Sequence, residues 1–202
     1  VEGRWIVGGV EIRTGPDQLA TVIAGDVQPL EPALDEALDL VEACFHKVEE
    51  LNSELNAFIT VSIEMAVQAA LSADSIYQLR PTNLDQITLL GIPIAIKDLI
   101  NTAGLRTTAG SKFFSENYPD EDAETVLRLK IAGAVVLGKT NTHEFAFGVT
   151  GLNPHFGNVK NPRNSRHIAG GSSSGSAVAV ATGMCLGALG TDTGGSIRIP
   201  AS

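Results

Sequence analysis

Two cysteines in 202 residues, Cys44 and Cys185, stand in unrelated apolar segments without C-x-x-C spacing. That argues against a disulfide framework or a cysteine zinc site and leaves two buried free thiols as the expectation. No uninterrupted apolar run reaches the length that spans a bilayer, and the N-terminus has no basic, apolar and cleavage regions in series. The expectation is a soluble, cytoplasmic protein with no membrane partner. Basic clusters are missing too. The net charge of −9 is spread along the chain, which argues against a nucleic-acid groove and reads as solubility. Histidine is scarce: His46, His143, His155 and His167 include no pair with ligand spacing, and "HEFAF" lacks the second histidine of a zinc-protease helix. They read as surface or loop residues, and no metal is expected.

What the chain does have is 44% hydrophobic residues, enough to bury a sizeable core, and no internal repeat. Residues 1–31 mix Gly, Pro and charge without clear periodicity and read as an N-terminal extension or an expression remnant, leaving 32–202 as the domain. From Pro32, the positions Leu34, Leu38, Val41, Phe45, Val48 and Leu55 recur at helical spacing, and "LNAFITVS" then changes to a short strand. "IEMAVQAALSADSIYQL" predicts a second helix, "LLGIPIAIKDLI" a buried strand, "DAETVLRLKIAG" a helix with a Gly stop, and "AVVLGKTN" another buried strand. Helices alternating with buried strands predict an α/β architecture.

Three stretches carry chemistry. In the first, alternation along the strand puts Lys97 on the face of Pro93 and Ala95, with Ile94, Ile96 and Asp98 opposite. A lone lysine at a strand end ordinarily reaches solvent; a buried one has a depressed pKa and is a usable base. The second is "AGGSSSGSAVAVATG". Its Gly170-to-Gly175 spacing is that of a phosphate loop, yet Ser176 stands where lysine is required. It also spells G-x-S-x-G, with Ser173 as nucleophile, but a loop-like "NPRNSRH" precedes it and no histidine follows His167. The plain alternative is a Ser-rich N-terminus of a small-residue helix ending at Gly183. The third is "GALGTDTGGSIRIPAS", where paired glycines can turn several N–H groups to one point beside Ser196, or can form a tight turn that Ser196 caps.

A buried lysine, a serine loop and "GTDTGGSIR" together resemble the amidase signature family. The match runs from Gly170 through Pro200, and "GIPIAIKD", "TTAGS", "AGAVVLGKTNTHEF" and "NPHFGNVKNP" are also similar to it, so that the resemblance covers residues 32–202. Ala169 is a small departure, since many members carry proline there. The resemblance implies the N-terminal part of an α/β/α fold around a mixed sheet, incomplete at the C-terminus because members continue well past this point. It implies hydrolysis of a small-molecule carboxamide through a serine acyl-enzyme, without cofactor. Ser196 would be the nucleophile, Ser172 the bridging hydroxyl after a cis Gly171–Ser172 bond, and Lys97 the base, the three linked by hydrogen bonds of roughly 2.6–3.2 Å. The N–H groups of Thr193, Gly194, Gly195 and Ser196 would hold the oxyanion. Ser173 would contact the lysine, while Asp192 and Arg198 would brace the two loops. Partners implied are a second copy of the chain or a missing C-terminal half. Two other readings stay open: the glutamine-hydrolysing component of a tRNA-dependent amidotransferase, which commonly has Gln where this chain has Ile199, and a non-catalytic anion-binding module built on Gly-rich turns.

Overall fold

Pro93–Lys97 (β5) is buried at every position, as a strand covered on both faces must be. The computed structural model describes residues 4–7, 10–13, 20–24, 37–79, 81–82 and 87–202. Before β5 come β1 (Arg4–Val7), β2 (Val10–Arg13), β3 (Ala20–Ala24), α1 (Ala37–Leu55), β4 (Phe58–Val61) and α2 (Ile63–Leu79). After it come α3 (Glu124–Ile131), β6 (Val135–Thr140), α4 (Ser174–Ala181) and β7 (Gly187–Thr191). A five-stranded mixed sheet has the order β3-β7-β5-β6-β4. Strands β7, β5 and β6 run parallel; β3 and β4 flank them antiparallel.

The alternation expected for β5 sorts two cores. Ala95 joins Val41, Phe45 and Val48 of α1, Ala66 and Ala70 of α2, and Val178 and Ala179 of α4. Ile94 and Ile96 join Val126 and Leu129 of α3. The sheet is therefore sandwiched between three helices and one helix among the described residues, the α/β/α layering that the resemblance implies. Cys44 and Cys185 are free and buried in the first core, and burial pushes the Cys44 thiol up to about 12 and Cys185 higher still.

Several boundaries differ from the sequence reading. The start of α1 at Pro32 lies outside the described residues. β5 is shorter than "LLGIPIAIKDLI" because residues 88–91 form a turn, with Gly91 at φ +78, and Asp98 turns the chain again. Within residues 1–31, the described residues form β1, β2 and β3, where the sequence shows no period; strands of four or five residues offer too few alternations to read. The rest of that segment lies outside the described residues. Among the described residues, no helix is long and apolar enough to cross a membrane.

Candidate active site

Lys97 ends β5, Thr140 ends β6 and Thr191 ends β7, so the C-terminal edges of three adjacent parallel strands meet at one place, where open α/β sheets bind ligands. The Lys97 side chain is fully buried. Its Nζ donates to Ser172 Oγ at 2.7 Å, Ser173 Oγ at 2.9 Å and Thr191 Oγ1 at 2.8 Å. Burial disfavours the ammonium and lowers its pKa to about 7, against a weaker upward pull from the Asp192 carboxylate. Both serines are buried at the start of α4, and the Gly171–Ser172 peptide bond is cis. The Ser172 carbonyl is fixed from the other side, accepting from Thr142 Oγ1 at 2.9 Å and His143 N–H at 3.2 Å.

Small residues bring α4 this close. A methyl group on Gly175 would stand 2.3 Å from the Ala57 carbonyl oxygen and 2.5 Å from the Asn141 backbone nitrogen. Ser176 Oγ meets Thr140 Oγ1 at 2.7 Å, tying the first turn of α4 to the end of β6.

Ser196 is half-buried in the loop after β7, which Asp192 organises. Asp192 Oδ1 accepts from Gly195 N–H at 2.8 Å, and Oδ2 from Ile197 and Arg198 N–H at 3.0 Å each. The Arg198 guanidinium donates through Nε to Oδ2 at 3.0 Å and through Nη2 to Oδ1 at 2.8 Å. Arg198 first, then the three N–H groups, hold the Asp192 carboxyl well below the usual carboxylate range. These bonds close on one loop, whereas the sequence reading has Asp192 and Arg198 bracing two. The two loops are instead joined by Ser173 N–H donating to the Ser196 carbonyl at 2.9 Å.

Two further placements differ from the expected set. The Gly195 N–H is turned to Asp192, so of the four expected oxyanion donors only Thr193, Gly194 and Ser196 have N–H groups without an acceptor among the described residues. Lys97 and Ser172 stand within the expected distance, but no hydrogen bond links Ser172 Oγ to Ser196 Oγ. Sequence reasoning did not single out Thr191 or Thr142; pairing "CLGALGT" in parallel beside "GIPIAIK" would have put Thr191 beside Lys97, whereas Thr142 lies beyond β6 and has no such signal.

Behind the sheet lies a second buried lysine. Lys139 Nζ donates to the Ile100 carbonyl, to Thr107 Oγ1 at 2.7 Å and to Thr102 Oγ1 at 3.1 Å, and burial lowers its pKa to about 8. Asp98, with Thr108 N–H on Oδ2 at 3.1 Å, has its pKa raised by burial. The two secure the turn that follows Lys97. Of the histidines, His155 Nε2 pairs with Glu144 Oε1 at 2.8 Å, and His143 touches the site only through its backbone.

Asp192→Asn is expected to lower unfolding stability by about 1–2 kcal/mol at pH 7. A carboxyl with a depressed folded pKa contributes stability that is full above its unfolded value, about 4, and fades as pH falls below it. The denaturant midpoints of the parent and the variant should therefore differ most at pH 7 and draw together as pH falls below about 4, with part of the difference still present at pH 3 because the folded carboxyl stays ionised there.

A half-buried serine beside free N–H groups, near a buried lysine that bonds the neighbouring serine loop, is an arrangement that acyl-transfer chemistry can use. Residues 39–202 match the Amidase family, and the chain belongs to it. It is 47% identical over 166 residues to the A-type chain of the glutamyl-tRNA(Gln) amidotransferase of Koribacter versatilis, covering 82% of this chain and 34% of that one. Among solved structures it resembles an amidase at 42% identity and TM-score 0.75, covering 82% of this chain and 37% of that one. It also resembles the native peptide amidase of Stenotrophomonas maltophilia at 38% identity and TM-score 0.75, covering 82% and 35%. The chain spans about a third of the length of the curated relatives it matches.

Proposed function

We propose that this chain carries the catalytic residues of a carboxamide hydrolase working through a Ser196–Ser172–Lys97 relay. The observation that supports it most is the fully buried Lys97, poised to be neutral near pH 7 and bonded at 2.7 Å to Ser172 Oγ. Ser196 Oγ attacks the carbonyl carbon and passes its proton to Ser172, whose own proton moves to Lys97 Nζ. Thr193, Gly194 and Ser196 N–H groups receive the oxyanion. Collapse of the intermediate returns the proton from Lys97 through Ser172 to the leaving nitrogen, and water then hydrolyses the ester to Ser196. A modest closure that brings Ser196 Oγ onto Ser172 Oγ completes the relay, since catalytic hydrogen bonds tighten when substrate binds.

An anion-binding module gives no reason for a buried lysine among three hydroxyls. The amidotransferase reading has identity in its favour, but Ile199 stands where that enzyme's glutamine-hydrolysing chain commonly has Gln, which favours a general amidase over a glutamine-specific one. In the full natural protein, a fluorophosphonate probe should label Ser196 and leave Ser172, Ser173 and Ser174 unmodified. An adduct on Ser173 found by mass spectrometry would instead support the G-x-S-x-G reading.

A further inference from the structure

A neutral amine has two N–H bonds and one lone pair, whereas an ammonium has three N–H bonds and no lone pair. Three hydroxyl oxygens surround Lys97 Nζ, so which of them meets the lone pair decides whether the base is aimed at the relay. The hydrogen of Ser173 is already committed: its Oγ donates to the Thr191 carbonyl at 3.2 Å. Towards Lys97, Ser173 can only accept. Building on the proposed role of Lys97 as base, we infer that Thr191 is a positioning residue that sets the direction of proton transfer. Its hydroxyl oxygen, 2.8 Å from Nζ, takes the second N–H. With Thr191 Oγ1 accepting, the lone pair faces Ser172 Oγ–H at 2.7 Å.

Once Ser196 has closed onto Ser172, this arrangement serves both protonation states of Lys97 without rearranging its three hydroxyl neighbours. When Ser196 attacks, the Ser172 O–H bond breaks as an Nζ–H bond forms, and Ser172 takes the hydrogen of Ser196. Lys97 then has three N–H bonds facing three oxygens. On the return, the same hydrogen goes back to Ser172, and Ser172 releases one to the leaving nitrogen. Without the Thr191 hydroxyl, one buried N–H loses its acceptor, and rotation about the terminal C–N bond lets the lone pair leave Ser172. The ammonium, which donates more strongly, loses more from that change than the amine does, so the lysine pKa falls further.

The test uses Thr191→Val and Thr191→Ser in the full natural protein, beside Lys97→Ala, with kcat and KM for an unactivated amide measured across pH. Thr191→Val should lose about 10- to 100-fold in kcat with KM within about threefold, the loss expected for one buried donor left unpaired. Its acid-side midpoint in kcat/KM should move to lower pH. Thr191→Ser should return kcat to within about threefold and restore the midpoint, since it keeps the acceptor. If Thr191→Val does not fold, Thr191→Ala carries the same expectation. Wild-type kcat in the variant lacking the hydroxyl, a lowered kcat with an unmoved midpoint, or a Thr191→Ser protein as slow as Thr191→Val would each overturn the role. Amidase activity that survives Lys97→Ala would overturn the base itself, an outcome distinct from failure at Thr191 alone.

Discussion

Replacing Lys97 by alanine in the full natural protein is expected to lower kcat/KM for an unactivated carboxamide by about a thousandfold or more, the upper part of the range for removing an acid–base group. The variant loses both the acceptor of the Ser196 proton and the donor to the leaving nitrogen. An activated ester with the same acyl group should suffer less, because its leaving group departs without protonation. Lys97→Arg should fail on the amide as well, since a guanidinium stays charged and has no lone pair to offer. The matched amide and ester rates for the three proteins check this. Equal losses on both substrates would mean that Lys97 supports the fold of the site and does not move protons.

Gly175→Ala is expected to lower stability by about 3 kcal/mol, at the top of the ordinary range for overpacking. All three of its nearest neighbours, the Ala57 carbonyl oxygen at 2.3 Å and the Asn141 nitrogen and oxygen at 2.5 and 2.6 Å, are backbone atoms that cannot rotate away. The first turn of α4 would have to lift from the ends of β4 and β6, taking Ser172 and Ser173 with it. A thermal midpoint lower by about 6–12 °C corresponds to that cost in a domain of this size. Gly194→Ala is the control, since nothing stands within 4 Å of the added methyl and its φ is not in the left-handed region. Equal midpoints for the two variants would contradict the close approach.

The long elements were legible because their periods repeat enough to be seen. Helix α2 is found over Ile63–Leu79, the span its sequence predicts, and the alternation along β5 correctly assigns Ala95 and Ile96 to opposite cores. Strands β1, β2 and β3 were not legible, being too short to show a period. Lys97 stood out only because the small residues Pro93 and Ala95 share its strand face and a serine loop follows far downstream. Lys139 has the same burial but lies in a strand whose pattern reads as apolar, and nothing local marks its three oxygen acceptors. Thr191 and the engaged N–H of Gly195 depend on where a side chain from another strand, or an aspartate three residues back, happens to reach. Spacing along the chain cannot supply that.

A lysine that is neutral when Ser196 attacks is the centre of this mechanism. The measurement that tests it most directly is kcat/KM for an unactivated amide as a function of pH, in the parent protein and in Lys97→Arg. With the Lys97 pKa lowered to about 7 by burial, the lone pair is available above that value. Activity of the parent should rise tenfold per pH unit on the acid side, level off above about pH 7, and be lost in Lys97→Arg at every pH. A flat profile through pH 7, or near-parent activity in Lys97→Arg, would contradict it and leave Lys97 a structural cation.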